Sequence, residues 1–170
     1  IKKKMKIAIA GKMCSGKSTS AMYFQKLNNR FQIFSFAKKV KEIAVDLFGM
    51  TNKDRTLLTS IGKKMRDIDP DVWANYTVKE TQNCEFAVID DLRHFNEYRI
   101  LKEQGWKIIK LEISDQLQEQ RLLGISTPEQ FQNHQSNKND ISEQQIVNSD
   151  DDIFDLVINV DKDNVFSKLK

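Results

Sequence analysis

The run from Gly11 to Ser18, GKMCSGKS, constrains this chain more than any other stretch. It fits G-x-x-x-x-G-K-[ST], the spacing of a phosphate-binding loop. Gly11 and Gly16 let the backbone turn sharply and approach an anion closely. The N–H groups carried by Lys12, Met13, Cys14 and Ser15 then turn inward toward it. Lys17 brings a point charge to the β- and γ-phosphates of a nucleotide, and Ser18 offers a hydroxyl to Mg²⁺. Thr19 stands in the first turn of the next helix, whose positive dipole end faces the same phosphates. The flanks agree with this reading. Met5 to Ala10, MKIAIA, is a short apolar run that predicts a buried strand, and residues 17–28 predict a helix. A nucleotide and Mg²⁺ are therefore the expected ligands.

Composition narrows the class. A chain of 170 residues has room for one domain with a sizeable core. Its net charge of +3 is too small to argue for nucleic-acid binding. No run approaches the roughly 18 apolar residues of a membrane span, and no secretion signal precedes the loop. Two cysteines, Cys14 and Cys84, make no disulfide framework. The expectation is a cytoplasmic protein that meets small phosphorylated molecules rather than nucleic acid or a membrane. A homodimer stays open.

Past the loop, Phe31 to Ser35 alternates as a second strand. Ser35 is placed to cap a helix over 36–48, stopped by Gly49. Asn52 is placed to start another, broken at Asp69-Pro70, and a third carries Val72, Trp73 and Tyr76. Several helices between two strands exceed what a crossover needs, so residues 36–82 read as an insertion for a second ligand. Phe86 to Asp90, FAVID, predicts a third strand ending in acid. Asp91, Arg93, His94 and Glu97 follow where ligand-facing residues of an open α/β sheet stand. A helix over 96–104, a strand over 106–113, a helix capped by Asp115, and a strand over 154–160 complete the alternation. Residues 124–150 are polar and read as a mobile excursion with short helical pieces. The fold class is α/β: a five-stranded parallel sheet with helices on both faces and its first strand central. Strand order is not derivable from the pattern.

The stretches SFAKKVKEIAVDLFG, LLTSIGKKMRDIDPDVWANY and VIDDLRHFNEYRILKEQGWKIIKLEI follow the loop in that order, ahead of DISEQQI and DLVINVD. Together they resemble the phage-type deoxynucleoside monophosphate kinases. The most specific part is D-x-R-x-x-x-E at Asp91, Arg93 and Glu97, after a segment holding Gly62, Arg66, Asp71 and Trp73. The resemblance implies a three-layer P-loop kinase fold with a helical acceptor insertion at about 36–82 and a small lid at about 115–150. It implies Mg²⁺-dependent transfer of the γ-phosphoryl of ATP to a deoxynucleoside monophosphate. Animal phosphomevalonate kinases share several of these features.

By the same resemblance, Arg66 and Arg93 hold phosphates, a task suited to the guanidinium fork. Lys17, Asp91 and Arg93 are the catalytic set. Asp91 orients the acceptor or a metal-bound water, with helix capping as the alternative and Asp90 as the other metal candidate. Glu97 holds Arg93 or the acceptor sugar. Trp73 and Tyr76 either stack on the acceptor base or belong to the core. Lys41 matches a lysine of the second helix, and Arg121 is expected to touch ATP from the lid. His134, Ser142 and Glu143 resemble the end of the lid. Met13 and Cys14 depart from the family, which often carries a cation there. The runner-up is a kinase for another small acceptor, such as phosphomevalonate or dephospho-coenzyme A. A nucleotide-binding switch fits less well, because NKND at Asn137 to Asp140 lies in the polar excursion rather than at a strand end.

Overall fold

Five apolar runs become strands in the computed structural model, which describes residues 4–137 and 145–170. They are β1 (Met5–Gly11), β2 (Gln32–Phe34), β3 (Phe86–Leu92), β4 (Lys107–Glu112) and β5 (Leu156–Asn159). All pair in parallel, in the order β2-β3-β1-β4-β5. β1 is central, as expected, with Ala8 beside Ile89 of β3 and Ile108 of β4. Near-continuous burial of β1, β3 and β4 is what a parallel sheet covered on both faces requires.

Strand alternation sends Ile7, Ile9, Val88, Ile109 and Leu111 to one face. Ala21 and Phe24 of α1 (Lys17–Leu27) close over them, with Val165 of α8 (Val165–Lys168) at the margin. Ala8, Ala10, Ala87, Ile89 and Ile108 take the other face. There they meet Phe36 of α2 (Phe36–Phe48), Ala74 and Val78 of α4 (Val72–Glu80), and Ile100 and Leu101 of α5 (Phe95–Glu103). The insertion between β2 and β3 has its own small core. Val40, Ala44, Ile61 and Trp73 join α2, α3 (Arg55–Ile68) and α4.

Some boundaries differ from expectation for local reasons. Asp54, not Asn52, caps α3 by accepting from Leu57 N at 2.9 Å. Ser114, not Asp115, caps α6 (Asp115–Ile125) by accepting from Leu117 N. β3 runs on past Asp90 to Leu92. The polar excursion contains α7 (Pro128–Asn137) and then returns to the core, where Ile146 and Val147 are buried. Buried Lys110 of β4 ties this return to the sheet through Asp151 at 2.9 Å, and also pairs with Glu112 of its own strand at 3.0 Å. No described helix is long and apolar enough to cross a membrane.

Candidate functional site

The loop closes at the carboxyl end of β1, between β3 and β4, where the connections leave the sheet in opposite directions. Gly11 has φ 156°, and a Cβ there would lie 2.9 Å from Leu111 O. Only glycine lets β1 and β4 stay this close. Gly16 enters α1 at φ 99°. Cys14 adopts φ 61°, a left-handed conformation disfavoured for residues other than glycine. Lys17 reaches back across the loop, its Nζ donating to Gly11 O at 2.7 Å and Lys12 O at 2.8 Å. Ser15 is buried, and its Oγ has no hydrogen-bond partner among the described residues.

Ser18 Oγ donates to Asp90 Oδ2 at 3.0 Å. The Asp90 carboxyl is raised by burial first and then by the charge of Asp91, while Ser18 and Lys17 pull it down. A hydroxyl and a carboxylate at the mouth of a phosphate loop are hard oxygen donors. They fit Mg²⁺, which binds through one or two protein oxygens and completes its shell with phosphate and water.

Asp91, expected to serve the metal and the chemistry with helix capping as the alternative, is engaged in capping. Asp90 and Asp91 stand at an irregular step of β3, where the register with β1 shifts between Ala8 and Ala10, and their carboxylates take different partners. Asp91 accepts from Ser35 Oγ at 2.7 Å, Phe36 N at 2.8 Å and Ala37 N at 3.0 Å. It holds the N-terminus of α2, a role foreseen only as capping of the next helix in the chain. Of the two alternatives for Trp73, the geometry favours the core. Trp73 is 5% exposed, and its indole N–H donates to Gly62 O at 3.1 Å. A side chain so enclosed offers no face to a base. Tyr76 remains exposed, with Lys39 Nζ 5.5 Å from its ring centre.

Glu97 is buried and accepts from Arg93 N at 2.9 Å and His94 N at 3.0 Å through one oxygen, Oε2. It shapes the turn that carries Arg93. Burial pushes its carboxyl up to about 7, with Asp91 adding to the rise, while the Arg93 and His94 amides and the Arg66 charge lower it. Arg66 lies along its own helix above Gly62, where a Cβ would sit 3.5 Å from its guanidinium. Asp71 bonds Arg99 at 3.0 Å and Asn96 at 2.9 Å, joining α4 to α5.

Sequence reasoning missed Lys53 and Arg55. Burial, then the charges of Arg55, Lys41 and Arg93, hold the Lys53 ammonium below its ordinary range. Lys53 in the turn before α3 thus feels the charges of Arg55, the first residue of α3, and of Lys41 and Arg93, both expected at the site. Lys53 and Arg55 line a cleft of about 850 Å³. One wall is residues 48–57, the other belongs to α6 and α7, and Met13 of the loop lies between them. Phe48, 60% exposed, presents an aromatic face there. Arg121 comes to the loop itself, donating to Cys14 O at 2.9 Å. Buried His134 lines the cleft. Ser142, Glu143 and most of the NKND run lie outside the described residues.

No protein-family model and no curated protein sequence matches the chain. Solved structures do. Shikimate kinase from Acinetobacter baumannii, in complex with shikimate, superposes with a TM-score of 0.55 at 15% identity, over 91% of this chain and 82% of its own. A sugar kinase from a Janibacter species gives 0.53 at 13% identity, over 98% and 90%. An uncharacterised protein from Eubacterium ventriosum gives 0.55 at 15%, over 92% and 91%. The fold is that of the P-loop kinases.

Proposed function

We propose that the protein is a phosphotransferase that moves the γ-phosphoryl of ATP to a nucleoside monophosphate. The carrying observation is the cleft that opens beside Met13 of the phosphate loop and is edged by Lys53 and Arg55. Its volume is ample for a nucleotide-sized ligand. Its cations suit a phosphate, and Phe48 suits a flat base. Phosphoryl transfer between two anions needs positioning and positive charge more than covalent help. Lys17 and the loop N–H groups serve the donor. Lys53, Arg55, Lys41 and Arg93 serve the acceptor. Ser18 and Asp90 would hold Mg²⁺, which when bound offsets charge on the β- and γ-phosphates.

The acids favour a phosphate acceptor over an alcohol. An alcohol must lose a proton as it attacks, so a carboxylate has to stand ready to take it. Here both acids at the end of β3 are engaged, Asp90 with Ser18 and Asp91 with α2. A phosphate dianion attacks with an oxygen that carries no proton. The preference for a deoxynucleotide rests on the family resemblance alone.

Titration of nucleoside monophosphates into wild type and a Lys53→Ala/Arg55→Ala variant tests the placement. At least one should bind the wild type, and the variant at least tenfold more weakly, about 1.4 kcal/mol. ATP affinity should not change. Equal nucleotide binding by the two proteins would place the acceptor elsewhere.

A further inference from the structure

Three side chains on one stripe of α6, Asp115, Gln118 and Arg121, reach three consecutive loop residues. Asp115 pairs with Lys12 Nζ at 3.0 Å, Gln118 Nε2 donates to Met13 O at 2.9 Å, and Arg121 donates to Cys14 O at 2.9 Å. The last two bracket Cys14, whose φ of 61° is the strained point of the loop. Such a conformation persists only where its surroundings hold it.

The peptide geometry gives these bonds a consequence. In a trans peptide the carbonyl and the following N–H point in opposite directions, and every described peptide here is trans. Fixing Met13 O toward α6 therefore aims the Cys14 N–H away from α6, into the loop. Burial decides which bond matters most. The Asp115 side chain is 79% exposed, and such pairs contribute little. Arg121 is exposed as well. Gln118 is 7% exposed, so its bond to Met13 O is the best shielded of the three, and removing its amide takes that donor away.

We infer that Gln118 is a positioning residue for the donor site: from α6 it holds the Met13–Cys14 peptide in the orientation that receives the nucleotide's phosphates. It need not touch the nucleotide. This rests on the phosphate-loop reading, but not on the identity of the acceptor. It also links the loop to the α6–α7 segment, so the donor site is shaped by the element that walls the acceptor cleft.

The test uses Gln118→Met, which keeps length and volume but donates nothing, and Gln118→Lys, which restores a donor. ATP with Mg²⁺, and inorganic tripolyphosphate, are titrated into each folded protein. Tripolyphosphate has no base or sugar, so it reports the loop alone. Gln118→Met should weaken both ligands about tenfold, the size expected for one part-buried hydrogen bond. The urea midpoint should fall only modestly, as the loss of one hydrogen bond requires. Gln118→Lys should recover most of the affinity. Gln118→Met binding within twofold of wild type would overturn the inference. So would Gln118→Lys binding as poorly as Gln118→Met, because packing rather than the hydrogen bond would then be responsible. A wild type that binds neither ligand would instead remove the phosphate-loop reading. Should Gln118→Met fail to fold, Gln118→Glu serves in its place. It preserves shape but turns an acceptor on Met13 O, and wild-type affinity there would equally overturn the inference.

Discussion

Ser18 and Asp90 meet across 72 residues of chain, hydroxyl to carboxylate at 3.0 Å. Asp91 turns its carboxylate onto the first amides of α2. Two adjacent acids therefore have separable tasks. Asp90→Ala should keep its melting temperature and lose at least a hundredfold in kcat, about 2.7 kcal/mol. Asp91→Ala should lose about 1–3 kcal/mol of stability, because buried amides lose their acceptor. Its kcat per folded molecule should stay within tenfold of wild type. Melting curves and single-turnover rates on the two variants check this. The reverse pattern would return the metal role to Asp91.

Trp73 should behave as a core residue. Trp73→Ala empties the middle of the insertion's core and should cost about 3–5 kcal/mol. Trp73→Phe keeps most of the packing but leaves Gly62 O without its donor, at about 1 kcal/mol. Urea denaturation measures both. A Trp73→Ala protein with the wild-type midpoint and a raised acceptor KM would show that the ring reaches substrate after all.

Glu97 makes stability depend on pH. Its folded-state carboxyl titrates at about 7, against an ordinary value of 4.5. The folded protein therefore holds a proton that the unfolded chain has released. That contribution is complete below pH 4.5 and is lost as pH rises through 7, on the order of 3 kcal/mol. Both backbone bonds use Oε2, which leaves Oε1 to carry the proton. Glu97→Gln should match wild type at pH 4.5 and exceed it at pH 8. Parallel stability curves for the two proteins across this range would contradict the assignment.

Much of the fold was legible because its signals are local. The loop spacing, the apolar runs of β1 and β3 and the glycine after α2 each depend on a few neighbouring residues. Strand order depends on contacts across the chain and left no mark in the pattern. The parting of Asp90 and Asp91 was no more legible: it falls at an irregular step in the β1–β3 register, and β3 had been ended at Asp90. Trp73 and Phe48 show the limit of reading by residue type. Both are aromatic and both lie in the insertion, yet one is enclosed by Val40, Ala44 and Ile61 while the other faces the cleft. Lys53 and Arg55 carry no motif, and the charge of Arg93 on Lys53 comes only with the fold. Gln118 carries no motif, although its three-residue spacing from Asp115 and Arg121 was visible.

The central claim is transfer from ATP to a nucleoside monophosphate, and initial rates test it most directly. ATP and Mg²⁺ in excess are combined with each deoxy- and ribonucleoside monophosphate, and in parallel with shikimate, simple sugars, phosphomevalonate and dephospho-coenzyme A. At least one nucleotide should turn over at roughly 1–100 s⁻¹, the usual range for kinases. Lys17→Met, lacking about 3 kcal/mol or more of transition-state stabilisation, should be folded and inactive on the same nucleotide. No product from any nucleotide, alongside clear phosphorylation of one of the other acceptors, would contradict the account.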